Sequence, residues 1–175
     1  MAMRDYVGIA EKYARDVISG KIVACHWVKQ ACRRQLDDLA NGVPGFQFSV
    51  AFASRACVFI EHLRHIKGAL AGTRIILEPW QIFILTTVFG WVDGEKKRRF
   101  RHVYIEVPRG NGKSALSSGV ALYALAADGE GGAECYTFAT TRDQARIVFD
   151  TSKAMVNMSP DLAREFGLTK QAHDR

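Results

Sequence analysis

The sequence predicts an α/β fold in which a parallel sheet, covered by helices, is preceded by an N-terminal helical segment. The chain has 175 residues, of which 48% are hydrophobic, and this is enough for a globular core. Residues 1–72 carry apolar side chains at helical spacing, and residues 73–175 alternate predicted strands with predicted helices. Because this alternation is typical of parallel sheets, we predict two parts with a boundary after residue 72.

Three helices are predicted in the N-terminal segment. They cover about residues 3–19, 25–40 and 49–66. In the second helix an apolar stripe lies opposite charged side chains. The run NGVPG that follows contains the glycine and proline residues that end helices. No strand is predicted in this segment.

The second part contains two predicted strands, His102–Val107 and Glu134–Ala139, which are rich in β-branched and aromatic residues. The predicted helices of this part run from Pro79 to about Phe89, from Lys113 to about Ala127, and from Thr141 to about Met158. Small side chains in the helix that begins at Lys113 favour close packing on the sheet; they are Ala115, Ser118 and Gly119.

Charge and hydropathy limit the class of protein. The formal net charge of +6 and the isoelectric point of about 9.3 permit contact with nucleic acid or nucleotide phosphates. No apolar stretch approaches the roughly 20 residues of a membrane helix. The N-terminus carries charges throughout and has no apolar core of the signal-peptide type. We therefore expect a soluble, cytoplasmic protein with no membrane partner.

The most informative stretch is VPRGNGKSAL, residues 107–116. A phosphate-binding loop (Walker A) has the pattern GxxxxGK[ST] between a strand and a helix. Gly112, Lys113 and Ser114 supply the second half of this pattern, whereas Val107 stands where the first glycine belongs. The predicted strand before the loop and the predicted helix after it match the required context. We therefore favour a nucleotide-binding loop over a glycine turn with a chance GKS.

Each residue of the loop has a chemical reason to be there. Gly110, Asn111 and Gly112 tolerate the dihedral angles that turn backbone N–H groups toward phosphates. Lys113 offers a cation to the β- and γ-phosphates, and the Ser114 hydroxyl is a ligand for magnesium. The dipole of the following helix favours the same anion. The loop therefore predicts ATP and magnesium as ligands.

Arg109 allows two interpretations. A cation inside the loop would lie near the γ-phosphate, where a positioned arginine can speed phosphoryl transfer. The alternative is an exposed arginine that pairs with Glu106 or with another acidic neighbour. The residues alone leave both interpretations open.

Four stretches, in this order, resemble the large subunit of the tailed-bacteriophage terminase. They are LEPWQIFI (77–84), FGWVDGEKKRRFRHVYIEV (89–107), PRGNGKS (108–114) and FATTRDQARIVFDTSKAMVNMSPDL (138–162). The resemblance covers nearly the whole chain. It implies the fold of a P-loop NTPase, a three-layer sandwich with a parallel sheet, which would be incomplete here.

The resemblance also implies a function and partners. In that family an N-terminal ATPase drives double-stranded DNA into an empty procapsid, and a C-terminal nuclease cuts the DNA. The implied partners are double-stranded DNA, the small terminase subunit and the portal protein of the procapsid. The large subunit would assemble on the portal as a homo-oligomeric ring.

Site residues follow from the resemblance by position. Gln81 would hydrogen-bond the adenine edge, and Lys113 and Ser114 would bind phosphate and magnesium. Arg109 and Lys113 would be the catalytic residues, and Arg109 would act in hydrolysis within the same subunit. Four residues would lie near the nucleotide or the DNA path: Thr140, Thr141, Arg142 and Gln144. Two alternatives stay open, a surface amide for Gln81 and a solvated turn, rather than a DNA contact, for the basic run at residues 96–101.

One part of such a motor is not recognised. ATP hydrolysis requires an apolar strand that ends in Asp-Glu, to hold magnesium and activate water. The run Ile147–Asp150 lies in a helical pattern, and Thr151 replaces the glutamate, so we reject it. No nuclease carboxylate cluster is recognised either. We expect the N-terminal portion of a large subunit, truncated before the acidic motif, with weak ATP binding, little turnover and strand edges that favour self-association.

Two other functions stay open at this point. One is a helicase-like or other P-loop NTPase with the same sheet order. The other is a non-catalytic DNA-binding assembly module whose loop is vestigial.

Overall fold

A computed structural model describes residues 4–168, and within this range the chain forms seven helices and two short strands. The helices are α1 (Tyr6–Ile18), α2 (His26–Asn41), α3 (Val50–His62), α4 (Pro79–Gly90), α5 (Lys113–Ala126), α6 (Arg142–Met158) and α7 (Pro160–Glu165). The strands β1 (Gln47–Phe48) and β2 (Trp91–Val92) form an antiparallel pair in which Phe48 lies opposite Trp91.

The six predicted helices are confirmed, with small differences at their ends. The predicted start of the first helix at residue 3 lies outside the described residues. The third helix ends at His62 rather than near Ile66. The chain then forms a loop, which is closed by a hydrogen bond of 2.9 Å from the Ile75 N–H to the Leu63 carbonyl. The last helix, α7, was not predicted, although Pro160 occupies its first turn, a favoured position for proline.

The contacts divide the chain into two compact units. The first unit comprises residues 1–57 and 77–105, and the second comprises residues 58–76 and 106–175. Helix α3 begins in the first unit and ends in the second. The predicted boundary after residue 72 stays a prediction.

The core of the first unit lies between α1 and its neighbours α2 and α4. Ala14 and Val17 of α1 and Ile82 of α4 are fully buried. The rings of Tyr13 and Phe83 lie 5.5 Å apart. Such close burial of apolar side chains is the main stabilising contribution to an amphipathic helix.

Strand β2 of the antiparallel pair contacts α2 through buried side chains. The indole N–H of Trp91 donates to the Gln35 side-chain oxygen at 3.0 Å, and both side chains are buried. The Phe48 ring lies against Gly90, where a Cβ atom would approach Phe48 Cε2 to 2.4 Å. Only glycine leaves room for that ring. Strand β1 lies in the N-terminal segment, so the prediction that residues 1–72 contain no strand is wrong. A strand of two residues is too short to show a period of two in the sequence.

The core of the second unit lies between α5 and two other helices. Gly119 faces Ile60 of α3, since a Cβ atom at Gly119 would lie 3.1 Å from the Ile60 side chain. The buried Ser118 hydroxyl donates to the Val148 carbonyl of α6 at 3.0 Å. The small residues of α5 were expected to pack on a sheet. For Ser118 and Gly119 this expectation is wrong, because helices occupy those contacts.

The predicted parallel sheet is not formed by residues 4–168. His102–Val107 and Glu134–Ala139 belong to neither helix nor strand, and Tyr104 and Phe138 are 87% and 89% exposed. Strand preference depends strongly on neighbours, because a strand is complete only when another chain segment pairs with its N–H and C=O groups. The fold is therefore α/β with mostly helices and one antiparallel pair, and its parallel sheet is not observed.

Candidate functional site

The glycine-rich loop ends where α5 begins. Gly110 and Gly112 have φ angles of 90° and 70°, in the left-handed region that favours glycine. The Gly112 carbonyl accepts from the Leu116 N–H at 2.9 Å, which makes Gly112 the N-cap residue of α5. The Asn111 side chain donates to the Pro108 carbonyl at 3.1 Å and closes the loop. The two glycines thus provide the turn even though Val107 replaces the leading glycine of the usual pattern.

The backbone donors of this loop are open. Within residues 4–168, the N–H groups of residues 110–115 donate to no protein acceptor. Residues 108–114 are exposed. Unbonded N–H groups at a helix start, together with the helix dipole, form a favourable environment for an anion. The geometry therefore has the donors that a phosphate requires.

The Lys113 side chain folds back over the loop. Its ammonium group donates to the Val107 carbonyl and, at 3.2 Å, to the Pro108 carbonyl. In the part of the chain that the structure describes, Lys113 forms no ion pair. Hydrogen bonds to a charged acceptor are stronger than those to a neutral carbonyl, so a phosphate can displace these two contacts.

Ser114 and Arg109 are also open. The Ser114 hydroxyl has no hydrogen-bond partner among the described residues, and Ser114 is exposed. Arg109 is exposed too, and it forms neither a hydrogen bond nor an ion pair with any residue from 4 to 168. The alternative in which Arg109 pairs with Glu106 is therefore not observed. The catalytic role of Arg109 stays a prediction.

Gln81 has a structural role that the sequence did not reveal to us. Its side-chain oxygen accepts from the Glu78 N–H at 2.9 Å, and the Glu78 carboxylate accepts in return from the Gln81 N–H. This reciprocal pair is a capping box at the start of α4. The spacing E-P-W-Q was the available signal, although glutamate is an unusual N-cap residue.

The capping contact leaves Gln81 with further hydrogen-bonding capacity. A side-chain amide has two acceptor lone pairs and two N–H donors, and the cap uses one lone pair. Gln81 belongs to the first compact unit, whereas the glycine-rich loop belongs to the second. The adenine-binding role of Gln81 stays a prediction.

The residues after the second predicted strand organise the start of α6. Thr141 is the N-cap residue, and its hydroxyl accepts from the Gln144 N–H at 3.3 Å. The Thr140 hydroxyl donates to the Gln144 side-chain oxygen at 2.7 Å. Arg142 is the first residue of α6 and is exposed. These contacts fix the local backbone, and the roles of the four residues toward nucleotide or DNA stay predictions.

Three negative findings concern the described residues. Ile147–Asp150 lies inside α6, which confirms that it is not an acidic strand motif. Between residues 4 and 168 there is no group of three or more His, Cys, Asp or Glu side chains that could hold a metal ion. In the same range no helix is both long and apolar enough to cross a membrane.

Comparison with known proteins identifies the family. The family model of the terminase large subunit, ATPase domain, matches residues 79–171, which is more than half of the 175 residues. The chain therefore belongs to the terminase large subunit ATPase family, and the resemblance seen in the four stretches is confirmed. The match includes Gln81, the whole glycine-rich loop and α6. No curated protein and no solved structure matches the chain.

Proposed function

We propose that this chain is the ATP-binding portion of a phage DNA-packaging terminase large subunit. Its full-length form would hydrolyse ATP to move double-stranded DNA into procapsids and would cut the DNA with a nuclease. The observation that carries the proposal is the open set of N–H groups at residues 110–115, in a loop that the family match covers. Those donors, next to Lys113, fit a triphosphate.

The loop residues would act by binding and orientation. The N–H groups of Gly110–Ser114 would surround the β-phosphate, and the Lys113 ammonium would leave the two carbonyls for the β- and γ-phosphates. Arg109, which has no protein partner among the described residues, would stabilise the charge that develops on the γ-phosphate. Gln81 would hydrogen-bond the adenine edge with the amide capacity that its cap leaves over.

The described residues would supply one magnesium ligand, the Ser114 hydroxyl, and no carboxylate ligand is assigned. Magnesium bound with the nucleotide would neutralise charge on the phosphate oxygens. The Ser114 hydroxyl, which no protein group occupies among residues 4–168, would be one of its oxygen ligands. We assign no water-activating carboxylate, so we propose that these 175 residues bind ATP with little or no turnover.

The biological setting is proposed from the family. The partners would be double-stranded DNA, the small terminase subunit and the portal protein, with a homo-oligomeric ring on the portal. The protein would act in the cytoplasm of the host. A helicase-like NTPase is disfavoured by the family match. The rival that keeps support is a vestigial loop, because Lys113 already has two carbonyl partners.

Substitution of Lys113 separates these two possibilities. Lys113→Ala is expected to weaken binding of a fluorescent ATP analogue at least about tenfold, because a charge-assisted contact contributes roughly 1.5–3 kcal/mol. The fold should be unchanged, since Lys113 is exposed and contacts only loop carbonyls. The matched control is Lys153→Ala, an exposed lysine of α6 in the same unit.

Three outcomes are distinguished by fluorescence titration with circular dichroism as the check on folding. Loss of binding in Lys113→Ala alone supports the proposal. Equal affinity of the wild type and Lys113→Ala indicates the vestigial loop. Equal losses in Lys113→Ala and Lys153→Ala indicate nonspecific attraction to positive charge and overturn the proposal as well.

A further inference from the structure

Most of the net positive charge belongs to the first compact unit. Residues 1–57 and 77–105 contain thirteen lysines and arginines against eight aspartates and glutamates, a formal charge of +5. The remaining residues contain eleven against ten, a formal charge of +1. The unit that lacks the glycine-rich loop therefore carries nearly all of the net charge, and this excess calls for an explanation other than nucleotide binding.

Part of this charge surrounds one aromatic ring. The guanidinium carbons of Arg34 and Arg99 each lie 4.9 Å from the centroid of the Phe100 ring. Arg33 and Arg101 are the exposed chain neighbours of these residues. We call Arg33, Arg34, Arg99, Phe100 and Arg101 the arginine cluster. It brings the exposed side of α2 together with the segment that follows β2.

Several contacts fix Arg99 at the centre of the cluster. Arg99 forms an ion pair with Asp38 of α2 at 2.6 Å, and both side chains are only about one fifth exposed, at 21% and 18%. The Arg99 guanidinium also lies 5.5 Å from the Trp91 ring, and the Arg99 N–H donates to the Trp91 carbonyl at 3.0 Å. These contacts fix Arg99, which lies against the Phe100 ring, before any partner binds, and this lowers the entropy cost of binding.

The outer charges of the cluster are not neutralised. Arg33, Arg34 and Arg101 form no ion pair with any residue between 4 and 168. In the basic run at residues 96–101, Lys97 pairs with Glu95 and Arg99 pairs with Asp38. A solvated turn explains Lys97, but it does not explain why two guanidinium groups are held against one ring beside unpaired arginines.

We propose that the arginine cluster binds the phosphate backbone of double-stranded DNA. Arginine is suited to phosphate because its planar group can make two parallel hydrogen bonds to one phosphate. The two guanidinium groups already contact the Phe100 ring, so that ring is not open for stacking of an unpaired base, the usual contact with single strands. Backbone contacts of this kind are independent of base sequence.

This inference rests on the proposed function for the identity of its partner and adds the surface that would hold it. It does not depend on the glycine-rich loop, since all five residues of the cluster belong to the first unit. DNA binding and nucleotide binding can therefore be measured and lost separately.

The test is fluorescence anisotropy of a labelled 30-base-pair duplex of arbitrary sequence, measured with the 175-residue chain at several salt concentrations and without nucleotide. The double variant Arg34→Ala/Arg101→Ala is expected to bind at least about tenfold more weakly. Its plot of log affinity against log salt should be shallower by about 1.8, because two phosphate contacts are lost at about 0.9 each.

The matched control removes two exposed lysines from the same unit. Lys12→Ala/Lys21→Ala makes the same change in net charge, and these side chains are 65% and 67% exposed and pair with Asp16. It should leave the affinity within about twofold of the wild type if only the cluster contacts phosphate. Arg34→Lys/Arg101→Lys keeps the charge but loses the planar groups, and it should give an intermediate affinity.

The possible results either support or overturn the proposal. A selective loss in the cluster variant supports it. Equal losses in the two alanine double variants, tighter binding of a single strand than of the duplex, or full competition by a polyglutamate peptide each overturn it. If Lys113→Ala loses nucleotide and keeps DNA binding, both proposals hold. If the wild-type chain itself does not bind nucleotide while the cluster variant selectively loses DNA binding, the proposed ATP function fails and the proposed DNA surface remains.

Discussion

The polar groups around Trp91 in the first compact unit and those at the start of α5 in the second differ in whether the protein satisfies them. In the first unit, Gln35 pairs with Trp91 and Asp38 pairs with Arg99, so polar side chains of distant chain segments satisfy one another. In the second unit, α5 begins without a side-chain cap, and its first N–H groups have no protein acceptor among the described residues. A scaffold is stabilised by satisfied donors, whereas a ligand site requires donors that the protein leaves open.

The comparison also applies to the way each unit packs around a glycine. In the first unit, Gly90 leaves no room for a Cβ atom, because the Phe48 ring would lie at 2.4 Å and is held against Trp91. In the second, a Cβ atom at Gly119 would lie 3.1 Å from the buried Ile60 side chain. The first contact requires an aromatic ring to shift, whereas the second requires Ile60 to give way by only a few tenths of an ångström.

The largest effect is therefore expected for Gly90→Ala. This change should lower the free energy of unfolding of the first unit by about 1–3 kcal/mol, the usual range for overpacking. Gly119→Ala should change the free energy of unfolding of the second unit by less than about 1 kcal/mol. Alanine is about 1 kcal/mol more favourable than glycine inside a helix, and this gain offsets the cost of crowding Ile60. Urea unfolding measures both.

Different signals report on the two units in that experiment. All three tryptophans, Trp27, Trp80 and Trp91, belong to the first unit, so their fluorescence follows its unfolding. Circular dichroism follows the helices of both. Gly131→Ala is the control, since nothing lies near a Cβ atom at Gly131. A larger loss for Gly119→Ala than for Gly90→Ala would contradict the packing difference.

The next effect concerns Gln81, which combines a cap with a predicted ligand contact. Gln81→Ala removes the capping box of α4 and should cost about 1 kcal/mol of stability. Gln81→Glu keeps an acceptor for the Glu78 N–H but loses the amide donor. It should retain most of that stability while reducing the preference for ATP over GTP.

Nucleotide competition and urea unfolding measure these two properties of the Gln81 variants. If Gln81→Glu keeps the full preference for ATP, Gln81 is a capping residue only. Should Gln81→Ala leave stability unchanged, the capping contact at 2.9 Å has no energetic weight.

The smallest effects are expected at two helix starts, one in each unit. Asp5 caps α1 by accepting from the Gly8 N–H at 2.9 Å, and Thr141 caps α6 through a longer contact of 3.3 Å. Asp5→Ala should cost about 1 kcal/mol and Thr141→Ala about 0.5 kcal/mol, following the usual range for N-caps. Thermal unfolding followed by circular dichroism would detect the order. The reverse order would show that contact length does not rank these caps.

The sequence alone determined six of the seven helices in the described residues, the glycine-rich loop and the family. A helix is specified by residues three or four apart and by nearby caps and breakers, as in NGVPG after α2, so local reasoning was sufficient. The loop was recognised because Gly112, Lys113 and Ser114 are adjacent in the chain. The left-handed φ angles of Gly110 and Gly112 agree with the turn that their residue type predicts.

Only the tertiary structure decided which distant groups meet. Nothing local indicates that Gly119 faces Ile60, that Arg34 and Arg99 share the Phe100 ring, or that Gln35 accepts from Trp91. The strand predictions failed for the same reason. Val103 and Ile105 have strong strand preference, but a strand exists only where another segment pairs with its backbone, and that pairing is a long-range property.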